Sequence, residues 1–103
     1  MTPLRSLSLA LALALAATTL QAANVVRIGV VAPLTGPQAH LGKDIENGAR
    51  LAIAEINATG PTLGGSPVRF EVLAEDDQAD PRTATIVGQK LVDSGAKAVV
   101  GHL

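Results

Sequence analysis

Three β-branched runs separated by two stretches of helical periodicity constrain this chain more than any other feature. "VVRIGVVAPL" (25–34) is nearly continuous in apolar residues, as a strand covered on both faces requires. Pro33 ends it. A helix is expected from Pro37 to Ala58, with Pro37 at its first position and Leu41, Ile45, Gly48, Ala49, Ala52, Ile53 and Ile56 on one apolar stripe. "NATGPTLGG" (57–65) stops it, because Gly60 tolerates positive φ and Pro61 forbids continuation. "PVRFEVLAEDD" (67–77) alternates apolar and polar residues and reads as a strand at the sheet edge. A second helix opens at Asp80-Pro81, with Asp80 as its cap, and its buried stripe is Ala84, Val87, Gly88, Leu91 and Val92. Gly95 ends it, and "AKAVVGHL" (96–103) is the third strand. The order β-α-β-α-β specifies an α/β fold with a parallel, Rossmann-like sheet. Three strands make an incomplete layer of such a fold, so the expectation is an N-terminal fragment of a longer protein.

The segment before the first strand belongs to a different category. Arg5 precedes an apolar stretch from Leu7 to Ala17, followed by small and polar residues. That sequence of regions describes a secretory signal peptide over residues 1–23, cleaved after Ala22 or Ala23. It is shorter than the roughly 20 apolar residues a transmembrane helix needs. With 0 cysteines, no lipid attachment is available, so the exported product is expected in the periplasm without membrane insertion. Residues 24–103 then form about 80 residues of folded chain, near the low end for an independent domain. Neither disulfides nor a metal cluster stabilises them: the histidines are His40 and His102, far apart and without acidic neighbours at ligand spacing.

Composition removes several function classes. Without Arg5 the chain has seven basic and nine acidic residues, and Phe70 is its sole aromatic. Neither an electropositive surface nor a stacking platform is present for nucleic acid. Gly29, Gly36 and Gly42 do not form G-x-G-x-x-G, and no G-K-[ST] follows, so dinucleotide and P-loop readings fail. No nucleophile, base and orienting group can be assembled, so no catalytic residue, cofactor or metal site is assigned. Asp76, Asp77 and Asp80 admit an Mg²⁺ reading; the favoured one is that Asp80 caps the helix and Asp77 satisfies loop amides.

In open parallel sheets, ligands bind beyond the carboxyl ends of the strands. Three segments meet there: "PLTGPQ", "EDDQAD" and "GHL". The candidate cleft rim is Leu34, Thr35, Gly36, Pro37, Leu41, His102 and Leu103. Leu41 can face core or cleft. One of His102 and Leu103 is expected to point across the sheet into packing.

Five spaced motifs carry a resemblance: "PLTGP", "G-x-x-x-x-N-G" over 42–48, "EINA-x-G" over 55–60, "DDQADP" and "VVGHL". Over residues 25 to 103 the chain resembles the start of the branched-chain amino-acid binding proteins of bacterial ABC transporters, the leucine/isoleucine/valine-type periplasmic receptors. The resemblance implies a two-lobed type I periplasmic-binding fold that closes on its ligand by hinge motion. This chain would supply the first half of lobe one. It would serve as the solute-binding component of an importer for a branched-chain or related amino acid or amide, with a membrane permease as partner. In the family, small hydroxyl residues just after the third strand hold the ligand's carboxylate and amine. Those positions follow Leu103, so the segment alone is not expected to hold ligand. The family often has an aromatic at the position of Leu41, and some relatives have a cysteine in the stretch matching "DDQADP", where this chain has Gln78 and Ala79. Two other classes remain as alternatives: a ligand-sensing extracellular module on the same fold, and, last, an exported α/β hydrolase.

Overall fold

The computed structural model describes residues 23–103. The signal-peptide reading falls on residues 1–23 and lies, Ala23 apart, outside the described residues. The elements are β1 (Asn24–Ala32), α1 (Ala39–Ala58), β2 (Thr62–Leu63), β3 (Ser66–Asp76), α2 (Pro81–Asp93) and β4 (Ala96–Gly101). One sheet has the order β2-β3-β1-β4. β1 pairs in parallel with both β3 and β4, which accounts for its unbroken apolar sequence. The expected β-α-β-α-β order and parallel α/β sheet are therefore present.

The helices cover opposite faces. Val31 clusters with Val87 and Leu91 of α2, and Leu73 and Ala96 pack around them. Because side chains alternate along a strand, Val30, Val68 and Phe70 lie on the other face, beneath α1. Val30, Val31 and Leu91 are almost wholly removed from water.

Several details differ from the sequence reading. The antiparallel two-residue β2 lies outside β3, so β3 is not the last strand in the order. α1 starts at Ala39, and Pro37 sits in the turn that Ala39 N–H closes onto the Gly36 carbonyl at 3.1 Å. The buried stripe of α1 is displaced round the helix to Gly42 and Glu46, leaving Leu41, Gly48, Ala52 and Ile56 exposed. Gly42 permits the displacement: a Cβ there would lie 1.6 Å from the Pro33 carbonyl oxygen, so this is the residue that lets the helix reach the rim loop. Glu46 tolerates burial because Lys43 Nζ (3.0 Å) and Arg50 Nε (2.9 Å) both donate to it. On α2, Val92 is exposed rather than buried, since Val87 and Leu91 already fill the face toward the sheet.

The start of α2 and the C-terminal ends of both helices follow the sequence. Asp80 accepts from Thr83 N–H and Thr83 Oγ1, each at 2.8 Å, with Pro81 behind it. Gly60 and Gly95 adopt φ of +66° and +82° after the two helices.

Candidate functional site

The parallel strands bring three connecting segments to one end of the sheet, and register decides which residues meet. Ala32, the last residue of β1, stands opposite Asp76, the last of β3. Asp77 N–H extends the ladder by one step to the Ala32 carbonyl at 3.1 Å. Val31 pairs with Gly101 at the end of β4. A Cβ on Gly101 would lie 1.9 Å from the Val31 carbonyl oxygen, so glycine permits this approach.

Asp76 turns back toward the loop after β1. Its Oδ1 accepts from the N–H groups of Leu34 and Gln78, both at 2.8 Å, and its Oδ2 accepts from Thr35 Oγ1 at 2.6 Å. The Thr35 hydroxyl, then the Leu34 amide, hold its carboxyl below the ordinary aspartate range. Asp77 is only 4% exposed. Its Oδ1 accepts from Ala79 N–H at 2.9 Å, and its Oδ2 lies 3.0 Å from His102 Nδ1. A carboxylate oxygen accepts, so Nδ1 carries the proton of that bond. Asp80 is held below the ordinary aspartate range by the Thr83 amide, then by the Thr83 hydroxyl. The capping reading of Asp80 and the loop-amide reading of Asp77 both match these contacts.

A concavity of about 320 Å³ opens where these segments meet, lined by Gln38, Asp77, Ala79, Asp80, His102 and Leu103 among others. Of the residues expected on the rim, His102 and Leu103 line it. Leu34, Thr35, Gly36 and Pro37 do not line it: Thr35, Gly36 and Pro37 are exposed, and Leu34 is half-buried with its amide on Asp76. Leu41 is 40% exposed, so it faces solvent rather than core. Neither His102 nor Leu103 enters packing as expected: β4 is the last strand in the order, and both residues remain exposed. Besides Asp77 and Asp80, the candidate rim leaves out Gln38 and Ala79, although the segments "PLTGPQ" and "EDDQAD" expected at this end contain them. Their signal was the cap position before α1 for one and the D-x-x-D-P turn for the other.

Among the described residues, further concavities lie away from the strand ends. One, of about 370 Å³, sits over the outer edge of β3 against Arg50, Ile53 and Asn57 of α1. Another, of about 610 Å³, runs along the outer face of α2 by Ile86 and Gln89. Neither joins loops from different strands. Among the described residues no group of three or more His, Cys, Asp or Glu side chains is arranged to hold a metal ion.

Comparison with known proteins bears on this arrangement. Residues 25–103 match the model of a family described as periplasmic binding protein. The Leu/Ile/Val-binding protein of Escherichia coli strain K12 is 37% identical over 91 residues, which is 88% of this chain and 24% of that protein. The leucine-, isoleucine-, valine-, threonine-, and alanine-binding protein of Pseudomonas aeruginosa is 38% identical over 94 residues, 91% of this chain and 24% of that one. Among solved structures, the branched-chain amino acid transporter substrate binding protein of Streptococcus pneumoniae, in complex with isoleucine, superposes with a TM-score of 0.69 at 34% identity. That match covers 77% of this chain and 22% of the other. The chain thus spans about a quarter of the length of the curated relatives it matches.

Proposed function

The chain belongs to the periplasmic binding protein family, and from that membership we propose that it is the ligand-facing start of a solute-binding protein for amino-acid import. One observation carries the reading: the loop after β1, the end of β3 and the exit of β4 are tied together at the carboxyl end of a parallel sheet, and Gln38, Asp77 and His102 from these three segments line one concavity there. Residues 1–23 serve as the export signal, and residues 24–103 form part of the N-terminal lobe. The ligand is a branched-chain or related amino acid, or an amide, and the protein works in the periplasm, handing that ligand to a membrane permease.

The rim residues Leu34, Thr35, Gly36, Pro37, Leu41, His102 and Leu103 frame one side of the cleft in this reading. They supply shape, an apolar wall and backbone groups, and no covalent chemistry is required of them. Recognition of this kind needs a concave, partly apolar surface with a few fixed polar groups, closed by motion of a second lobe. The protein acts as a binder rather than an enzyme.

A chimera tests this directly. The segment of the E. coli Leu/Ile/Val-binding protein that matches this chain is replaced by residues 25–103, and leucine and isoleucine are titrated by calorimetry. Saturable heat with at least one of them is expected. A chimera with native circular dichroism and no heat with any aliphatic amino acid or short amide would overturn the proposal.

A further inference from the structure

We infer that the two adjacent aspartates closing β3 are positioning residues for the ligand cleft: Asp76 sets the loop after β1, and Asp77 sets the exit of β4. The inference rests on the reading above, in which those two segments face the ligand. Consecutive residues on a strand point to opposite faces of the sheet. Asp76 therefore reaches the α1 side, where the chain leaving β1 passes, and Asp77 reaches the α2 side, where β4 ends. The observed contacts obey that division. Asp76 takes Leu34 N–H and Thr35 Oγ1, and Asp77 takes His102 Nδ1 and Ala79 N–H. One dipeptide thus ties together segments 41, 42 and 25 residues away along the chain.

Each segment needs such a tie. Residues 35–38 are exposed and form no regular structure before α1. Beyond the turn from Gly36 to Ala39, the bonds to Asp76 are what fix Leu34 and Thr35. β4 is paired on one side only, by β1, and its exit carries the exposed pair His102 and Leu103. Rim segments left loose would have to be ordered at the moment of ligand capture, which weakens affinity without changing which ligand is preferred. Bonds to a charged acceptor suit the task, since they are stronger than neutral ones.

The two ties act separately, and that separability is testable. Amide exchange by NMR is read on the full chain and, as a second frame, on the chimera. Asp76→Ala should speed exchange at Leu34 and Gln78 by about tenfold or more relative to Val31, leaving Ala79 unchanged. Asp77→Ala should do the reverse, speeding Ala79 and lowering the order parameters of His102 and Leu103. Asp76→Asn and Asp77→Asn, which keep an oxygen acceptor, should recover most of the protection. In the chimera each alanine variant should weaken leucine and isoleucine by the same factor, about tenfold, keeping their ratio. Identical exchange patterns in the two alanine variants, or no change in either, would overturn the inference, and so would a changed leucine-to-isoleucine ratio. A wild-type chimera that binds nothing counts against the proposed function alone; the exchange pattern still decides the inference.

Discussion

Gly42 and Gly48 occupy the same helix, six residues apart, and experience opposite constraints. Gly42 lies where α1 crosses the rim loop, and a Cβ there would fall 1.6 Å from the Pro33 carbonyl oxygen and 2.5 Å from its carbon. Backbone cannot yield as a side-chain tip can, so either the helix lifts or Pro33 moves, and Pro33 is itself fully buried. Gly48 has nothing within 4 Å of its Cβ position and sits exposed in the middle of the helix. Gly42→Ala should therefore destabilise by about 1–3 kcal/mol, the range for overpacking a filled site. Gly48→Ala should stabilise by about 0.5–1 kcal/mol through helix propensity. Urea midpoints of the two variants check both signs. Equal shifts, or a tolerated Gly42→Ala, would mean that the helix does not rest on Pro33.

At the level of elements, α1 also guards the sheet. Asn57 donates Nδ2–H to the Phe70 carbonyl at 2.8 Å and accepts Phe70 N–H on Oδ1 at 2.9 Å, taking the place of a neighbouring strand beyond the short β2. Asn57→Ala removes two bonds and leaves that rung of β3 to solvent, a loss of about 1–3 kcal/mol if each bond contributes its ordinary share. Asp80→Ala, which uncaps α2, should lower the denaturant midpoint. The two sites share no contact, so a double variant should lose the sum of the two losses, read from denaturant midpoints. These elements also show how far the sequence alone carries. Asp80-Pro81 and the terminal Gly60 and Gly95 announce helix ends through local backbone chemistry, and the helices end there. The unbroken apolar run of β1 announces a strand paired in parallel on both sides, because both its faces must be apolar. The rotation of α1 is not legible in that way: its apolar pattern centres on Leu41, Ala52 and Ile56, and contacts with Pro33 and Phe70 turn it toward Gly42 and Asn57. β2, with two residues, is too short to have a period. The location of the site follows from topology. The division of labour between Asp76 and Asp77 depends on Asp76 standing opposite Ala32, a register that appears only when the sheet is assembled.

Over the whole molecule, carboxylates hold together what a small core leaves loose. Asp76 ties the rim to β3, Asp80 starts α2, and Glu46 sits buried on α1 between Lys43 and Arg50. All three are held below their ordinary values, 3.8 for the aspartates and 4.5 for the glutamate. Glu46 is lowered first by its hydrogen bond from Lys43, then by that from Arg50. A carboxyl with a lowered value binds its proton more weakly in the folded chain than in the unfolded one. Its stabilising effect is complete above the ordinary value and drains away as pH falls through the lowered one. The denaturant midpoint should thus stay level from neutral pH down to about 5 and fall steadily below that. Thr35→Val isolates the Asp76 share. It removes the hydroxyl that does most to lower that carboxyl while sparing the Leu34 and Gln78 amides. The Asp76 carboxyl, followed by its carbon shift in an NMR titration, should then titrate closer to 3.8. Glu46 and Asp80 should be unmoved, and the acid limb of the stability curve should become shallower. An Asp76 midpoint indifferent to Thr35→Val would mean that the rim loop is held by something other than this carboxylate.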